Sequence, residues 1–216
     1  MPHDPLRLPA DTMRAVGERC VWSQQMTHQA LLPYLIEEAH ELVDAVERGD
    51  DDDLREELGD VLWQVLFHSD IAARSGRFSI DDVARDLTDK MTRRHPHVFA
   101  GEVAQTPEQV LVLWNAAKAA EKRERQSVLD GVARSMPALA YAQKVLGKAA
   151  DVGVQAPMLP LALESEHDIG AALLALAALA RAHGWDAEAL LRAEVRRVER
   201  EVRAVENPIG NDADEA

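Results

Sequence analysis

The sequence predicts an all-α protein, and three observations carry that expectation. The chain is 47% hydrophobic but only 4% aromatic, and it is dominated by Ala, Leu, Glu, Arg and Val, which favour helix over sheet. Its acidic and apolar residues fall on separate faces when each residue is turned about 100° around a helix axis. Helix punctuation recurs along the chain, with Gly49 and Pro96 as stops and Ser79 as a start. A length of 216 residues suffices for one buried core or two small ones.

Residues 1 to 11 hold three prolines and read as an irregular lead, with the first helix expected from Thr12 or Met13 behind an Asp11 or Thr12 cap. A second helix is expected from Pro33 to Arg48, with proline at its first position and Gly49 past its end. Asp50 to Asp53 then form a polar turn that offers several caps. A third helix runs from Leu54 to Arg74. "SIDDVARDLTDKMTRR" makes a fourth, capped by Ser79 and closed by Pro96, and a fifth covers Glu108 to Arg125 after the "GEVAQTP" loop. Beyond it come "MPALAYAQKVLGKAADVG", a proline-rich break at "QAPMLPLALES", and two helices from about Asp168 and Asp186. This organisation predicts a first helical unit over 1–126, a second over 127–206, and a disordered tail over 207–216.

Thirty-eight acids against 24 bases give a net charge of −14, which disfavours unassisted binding to nucleic acid or an anionic membrane. An anionic ligand would need a cation as intermediary. The single Cys20 excludes an intramolecular disulfide and fits a reducing compartment. The N-terminus has no signal-peptide pattern and no apolar run is long enough to span a bilayer, so the expected location is the cytoplasm.

The stretch "YLIEEAHELVDAVERGDDDDLREELGDVL", residues 34 to 62, places twelve carboxylates beside two arginines. Helical rotation puts Glu37, Glu38 and Glu41 within an arc of about 100°, with Leu35, Ala39, Leu42, Val43 and Val46 opposite. Glu56, Glu57 and Asp60 occupy an equal arc on the next helix, with Leu54, Leu58, Val61, Leu62 and Val65 opposite. A short connection makes the two helices antiparallel neighbours. If the acidic arcs share a groove, like charges repel until protons or a divalent cation relieve them. Oxygen ligands without matching His or Cys select a hard cation, Mg²⁺ or Mn²⁺. A solvated acidic helix face satisfies the same spacing, although such a face normally interleaves bases.

Basic counterparts follow. Lys90 and Arg94 share one helix face at i,i+4, and Trp114 and Lys118 share another. The cations suit phosphate oxygens, and the indole suits a base. Helix-dipole compensation and core packing are the plainer roles for the same residues.

These motifs resemble the MazG family of nucleoside triphosphate pyrophosphohydrolases, whose signature E-E-x-x-E followed by E-x-x-D stands here as Glu37-Glu38-x-x-Glu41 and Glu57-x-x-Asp60. "QMTHQALLPYLIEEAHELVDA", "DLREELGDVLWQVLFHSDIA", "GRFSIDD" and "DKMTRRHPHVF" share the family's look, and the similarity covers about residues 17 to 153. The resemblance implies an all-α MazG-like bundle with a four-helix core, formed by a homodimer. It implies hydrolysis of a nucleoside triphosphate to monophosphate and pyrophosphate, with Mg²⁺ held by Glu38, Glu41, Glu57 and Asp60 and with Glu37 as a water-orienting carboxylate or base. Lys90, Arg94, Trp114 and Lys118 match the family's K-x-x-x-R and W-x-x-x-K substrate contacts.

Two departures stand out. A C-P-W-D-like stretch of relatives is "CVWS" here, Cys20 to Ser23. A second acidic repeat, present in larger members, is reduced to "HDIGAALL", in which Asp168 stands for Glu57 and Ala171 for Asp60. The C-terminal unit is therefore expected to serve packing or dimerisation. The alternative to an enzyme is a weakly catalytic nucleotide-binding regulator or scaffold of the same fold, and the choice of base, nucleotide-pool cleansing or regulation, is not encoded in the metal motif.

Overall fold

The computed structural model describes residues 4–121, 127–154 and 164–206, with the side chains of 196 and 198–206 excepted. All regular structure among them is helical. The chain divides into two units, Met1–Glu121 and Lys122–Ala216. The expected junction at 126, the end of the fifth predicted helix and the tail over 207–216 lie outside the described residues.

The first unit holds α1 (Arg7–Arg19), α2 (Val21–Gln25), α3 (His28–Arg48), α4 (Asp51–Arg74), α5 (Ile80–Arg94), α6 (Pro96–Phe99) and α7 (Pro107–Ala120). Helix α1 begins before the expected Thr12. Pro9 falls in its first turn, where the backbone N–H has no helical acceptor to lose, and Asp4 accepts a hydrogen bond from Leu6 N at 3.0 Å just ahead of it. Helix α3 likewise starts at His28 rather than Pro33. The Thr27 side chain accepts from Ala30 N and caps it, so Pro33 lies inside the helix, where it removes a single donor.

Gly49 ends α3 in the left-handed region at φ 75°, a conformation open to glycine. Asp50 then caps α4 by accepting from the backbone of Asp52 and Asp53 at 2.9 and 3.1 Å. Asp51, Asp52 and Asp53 are the first turn of that helix rather than a separate polar turn. Their charges face the positive end of the helix dipole. Arg48 closes the connection with a 2.7 Å ion pair to Asp53. The α3–α4 hairpin is thus set by one glycine and one cap.

A core of Ala10, Met13, Leu31, Leu66 and Phe67 joins α1 to the hairpin, with Met26, Leu62, Trp63, Ile71 and Ile80 packed around it. Helix α1 approaches α4 so closely that a Cβ on Gly17 would collide with the Asp70 carboxylate. Asp70 pairs with Arg74 at 2.8 Å, and Arg74 reaches the carbonyls of Ser23 and Gln24. Helix α5 starts with a capping box between Ser79 and Asp82, which holds the Asp82 carboxyl down to about 2.

The second unit holds α8 (Ala138–Asp151), α9 (Glu166–Ala182) and α10 (Ala187–Glu206). Buried Ala172, Ala175, Ala177, Ala178 and Ala180 let neighbours approach α9 closely. No helix among the described residues is long and apolar enough to cross a membrane.

Candidate functional site

The paired acidic helices meet. Glu38 and Glu41 on α3 and Glu57 on α4 each bring one carboxylate oxygen within 4.8 Å of the other two. The geometry follows from the hairpin: Thr27 and Asp50 set where each helix begins, and the helical period then turns these residues into one groove. Glu38 and Glu57 are partly buried while Glu41 is exposed. The cluster therefore opens on one side to solvent.

Electrostatics identify the strain in this arrangement. The Glu38 carboxyl is pushed above its ordinary value by burial, by the charge of Asp60 and by its hydrogen bond and proximity to Glu41. Burial also raises Glu57, and Glu41, Asp60, Glu56 and Asp53 raise it further. No basic residue is among the causes of either shift. Glu57 Oε2 is buried without a hydrogen-bond partner. A buried carboxylate oxygen without a donor, beside two other acids, is the arrangement that a hard cation satisfies. The donor set consists of oxygens and so fits a divalent ion of that class.

Asp60 stands outside the three-oxygen cluster, yet its charge acts on both Glu38 and Glu57. Glu37 is exposed on α3 and is not a member of the cluster. It lies about 100° around the helix from Glu38, so it flanks the groove instead of lining it. Gln64 was not singled out by the sequence reading, because a buried amide on an apolar-rich helix carries no signature. It is 5% exposed, and its side chain hydrogen-bonds to Glu38 and lowers that carboxyl's pKa.

The basic and aromatic residues form a second group. Arg94 lies over the Trp114 ring at 5.2 Å, and His95 meets the same ring edge-on at 5.0 Å. Glu121, also not anticipated, accepts from Arg94 Nε and Nη2 at 3.1 and 2.6 Å on a single oxygen. Its other oxygen pairs with Arg93 at 3.3 Å, and these arginines hold the Glu121 carboxyl below its usual range. Trp114 thus contacts Arg94 and His95, a cation contact that the sequence, which offered a base contact or core packing, did not suggest. Lys90 and Lys118 are partly buried on α5 and α7.

The segment expected to be the remnant of a second acidic repeat starts a helix. Asp168 accepts from Ser165 N and Oγ at 2.9 and 2.7 Å and from Glu164 N at 3.2 Å, which lowers its carboxyl pKa. It is a helix cap in this fold.

Comparison with known proteins gives consistent matches. Residues 26–99 match the MazG nucleotide pyrophosphohydrolase domain, a span containing every carboxylate of the cluster. An uncharacterised 26.1 kDa protein of Streptomyces cacaoi is 43% identical over 201 residues, covering 91% of this chain and 80% of the relative. The nucleoside triphosphate pyrophosphohydrolase of Escherichia coli K12 is 36% identical over 211 residues, covering 87% and 80%. That of Mycobacterium tuberculosis is 49% identical over 152 residues, covering 69% of this chain and 45% of the relative.

Proposed function

The chain belongs to the MazG family of nucleotide pyrophosphohydrolases, and from that premise we propose that it hydrolyses nucleoside triphosphates to the monophosphate and pyrophosphate in a reaction that depends on Mg²⁺ or Mn²⁺. The observation that carries the metal reading is the Glu38–Glu41–Glu57 cluster with its unpartnered buried Glu57 Oε2. In this reading Glu38, Glu41, Glu57 and Asp60 hold the cation. When bound, it supplies charge screening for the polyphosphate and Lewis acidity toward the attacked phosphoryl group.

The remaining work falls to the protein. Glu37, exposed beside the groove, accepts the proton of the attacking water as general base. Water adds to phosphorus, the phosphoanhydride bond breaks, and its electron pair leaves with pyrophosphate. Lys90, Arg94 and Lys118 bind phosphate oxygens by charge-assisted hydrogen bonds. Glu121 occupies the Nε–Nη2 edge of Arg94, so Nη1 is the atom that Arg94 offers a phosphate. Trp114, already under Arg94, fixes that guanidinium and borders the nucleoside.

A homodimer is part of the proposal. Leu32, Ile36 and Val46 on α3 are 49%, 57% and 59% exposed, and Leu58 and Val65 on α4 are 53% and 40% exposed. On each helix these residues share one face, so the hairpin carries an apolar stripe of the kind that a second hairpin covers in a four-helix bundle. The proposed site is cytoplasmic, in keeping with a lone thiol at Cys20.

Pyrophosphate release from a panel of nucleoside triphosphates, with Mg²⁺ or with chelator, tests the reading. Glu38→Ala and Asp60→Ala should abolish release. Wild-type turnover no higher than theirs would leave a nucleotide-binding regulator or scaffold as the better description, and the panel itself reads base preference.

A further inference from the structure

A second set of polar side chains lies on the same hairpin and on the connection that follows it, and no part of the reaction described above uses it. His28 Nδ1 and His68 Nδ1 are 2.8 Å apart, and Arg77 Nη2 is 2.6 Å from His28 Nε2. The two imidazoles are parallel within 3° with centroids 5.1 Å apart. That separation is the N–N distance plus one ring radius at each end, so the rings lie end to end in one plane with the bond along their common axis. His68 Nε2 and Gln64 Oε1 are both buried without a partner. Gln64 also hydrogen-bonds to Glu38.

Donor chemistry gives this set a direction. A guanidinium only donates, so His28 Nε2 is an acceptor and carries no proton. Neutral His28 then holds its proton on Nδ1 and donates it to His68 Nδ1. His68, an acceptor at Nδ1, carries its own proton on Nε2, which is the buried nitrogen without an acceptor. One turn earlier on α4, Gln64 Oε1 is the buried acceptor without a donor. A carboxylate accepts only, so the amide end of Gln64 that meets Glu38 is its NH₂, which turns Oε1 away from Glu38. The two orphaned atoms are complementary and make no direct bond, so the link between them is one bridging water, which satisfies both.

We propose that Arg77, His28, His68 and Gln64 form a one-way chain of hydrogen-bond donors that ends on Glu38 and positions its carboxylate for the cation. The inference rests on the reading of Glu38 as a cation ligand. Both histidines are neutral in this chain. Burial, the larger cause, holds the His68 pKa down, in the same sense. Arg77 fixes both tautomers, the tautomers fix the Gln64 amide, and the amide leaves the remaining Glu38 lone pairs directed into the groove. The four are positioning residues, acting on the cation through Glu38.

Two measurements on the full chain test this. Isotope-labelled histidine resolved by NMR at neutral pH reads the tautomers. His28 protonated on Nδ1 and His68 on Nε2 are expected, and His28 protonated on Nε2 overturns the chain. Mn²⁺ titration followed by electron paramagnetic resonance reads the positioning. His68→Leu should weaken binding by about 10-fold or more, and His68→Gln, whose amide supplies a donor near the place of Nε2–H, should restore most of it. If His68→Leu fails to fold, Arg77→Met takes its place, with His28 moving to the Nε2–H tautomer and Mn²⁺ affinity falling. Undiminished affinity in the folded variant overturns the inference. Wild-type protein that binds no Mn²⁺ sinks the cation reading and this inference together, whereas wild-type binding with reversed tautomers sinks the inference alone.

Discussion

Glu57 concentrates the conflict between folding and function. Its carboxyl is raised by burial and by four neighbouring acids, and Glu38 is raised in the same direction. A carboxyl whose folded pKa exceeds its unfolded value makes the folded state bind more protons between the two, so stability falls as pH rises through that window. The window opens at the ordinary glutamate value of 4.5 and extends upward. Metal-free protein should therefore melt at a higher temperature near the bottom of this window than at neutral pH. Mg²⁺ should raise the neutral melting temperature more than the acidic one, because protons compete with it for the same oxygens. Thermal melts in chelator and in Mg²⁺ across that range check the sign. Opposite pH trends in chelator would show that the carboxylates are not crowded. Glu57→Gln keeps the shape and removes the charge, so it should raise the metal-free melting temperature at neutral pH. Its pyrophosphate release should fall by more than the roughly 10–100-fold typical of losing an outer partner of a metal ligand.

At the scale of elements, two glycines in helices give a matched test of the packing. A Cβ on Gly17 would strike the Asp70 carboxylate, whereas one on Gly59 meets nothing within 4 Å. Gly17→Ala should destabilise by about 1–3 kcal/mol, since it drives α1 off the side chain that anchors Arg74. Gly59→Ala should instead stabilise by about 0.5–1 kcal/mol, the ordinary gain of alanine inside a helix. Denaturant unfolding of the pair reads the difference, and equal effects would mean that the α1–α4 approach is looser than the structure has it. The same contrast explains what the sequence made legible. The acidic spacing and the Gly49 stop made a meeting of Glu38, Glu41 and Glu57 one of two readings, beside a solvated acidic face, because both depend on helical period and on local chain chemistry; the structure brings the three together. The starts of α1 and α3 were missed because proline was read as a boundary, although Pro9 sits in a first turn and Pro33 is carried inside a helix that Thr27 had already capped. Gln64, His68 and Glu121 were missed for a different reason. Their roles come from partners far along the chain, such as His28 for His68 and Arg94 for Glu121, and spacing along one helix does not reveal a tertiary partner.

At the scale of the whole molecule, the location of the apolar stripe decides how two copies would meet. Rotation along α3 sets Leu32, Ile36 and Val46 within an arc of about 80°, with Glu38 and Glu41 about 80° or more beyond its edge. A second hairpin laid on that stripe would bury the leucine, isoleucine and valine side chains and leave the carboxylate groove beside the seam, still open to a polyphosphate. A chain of net charge −14 gains nothing from pairing its acidic faces, so the uncharged stripe is the surface on which self-association costs least. Leu58 and Val65 extend it onto α4. Leu173, Leu176, Leu190 and Leu191 offer the second unit an apolar groove of its own, which makes the assignment discriminable by mutation. Ile36→Glu combined with Leu58→Glu should convert a species of twice the 23.8 kDa chain mass into a single chain, read by sedimentation equilibrium, with the helical circular dichroism unchanged. Leu176→Glu combined with Leu190→Glu should leave the doubled mass intact. The reverse pattern would place the dimer on the second unit, and the hairpin stripe would then need another cover.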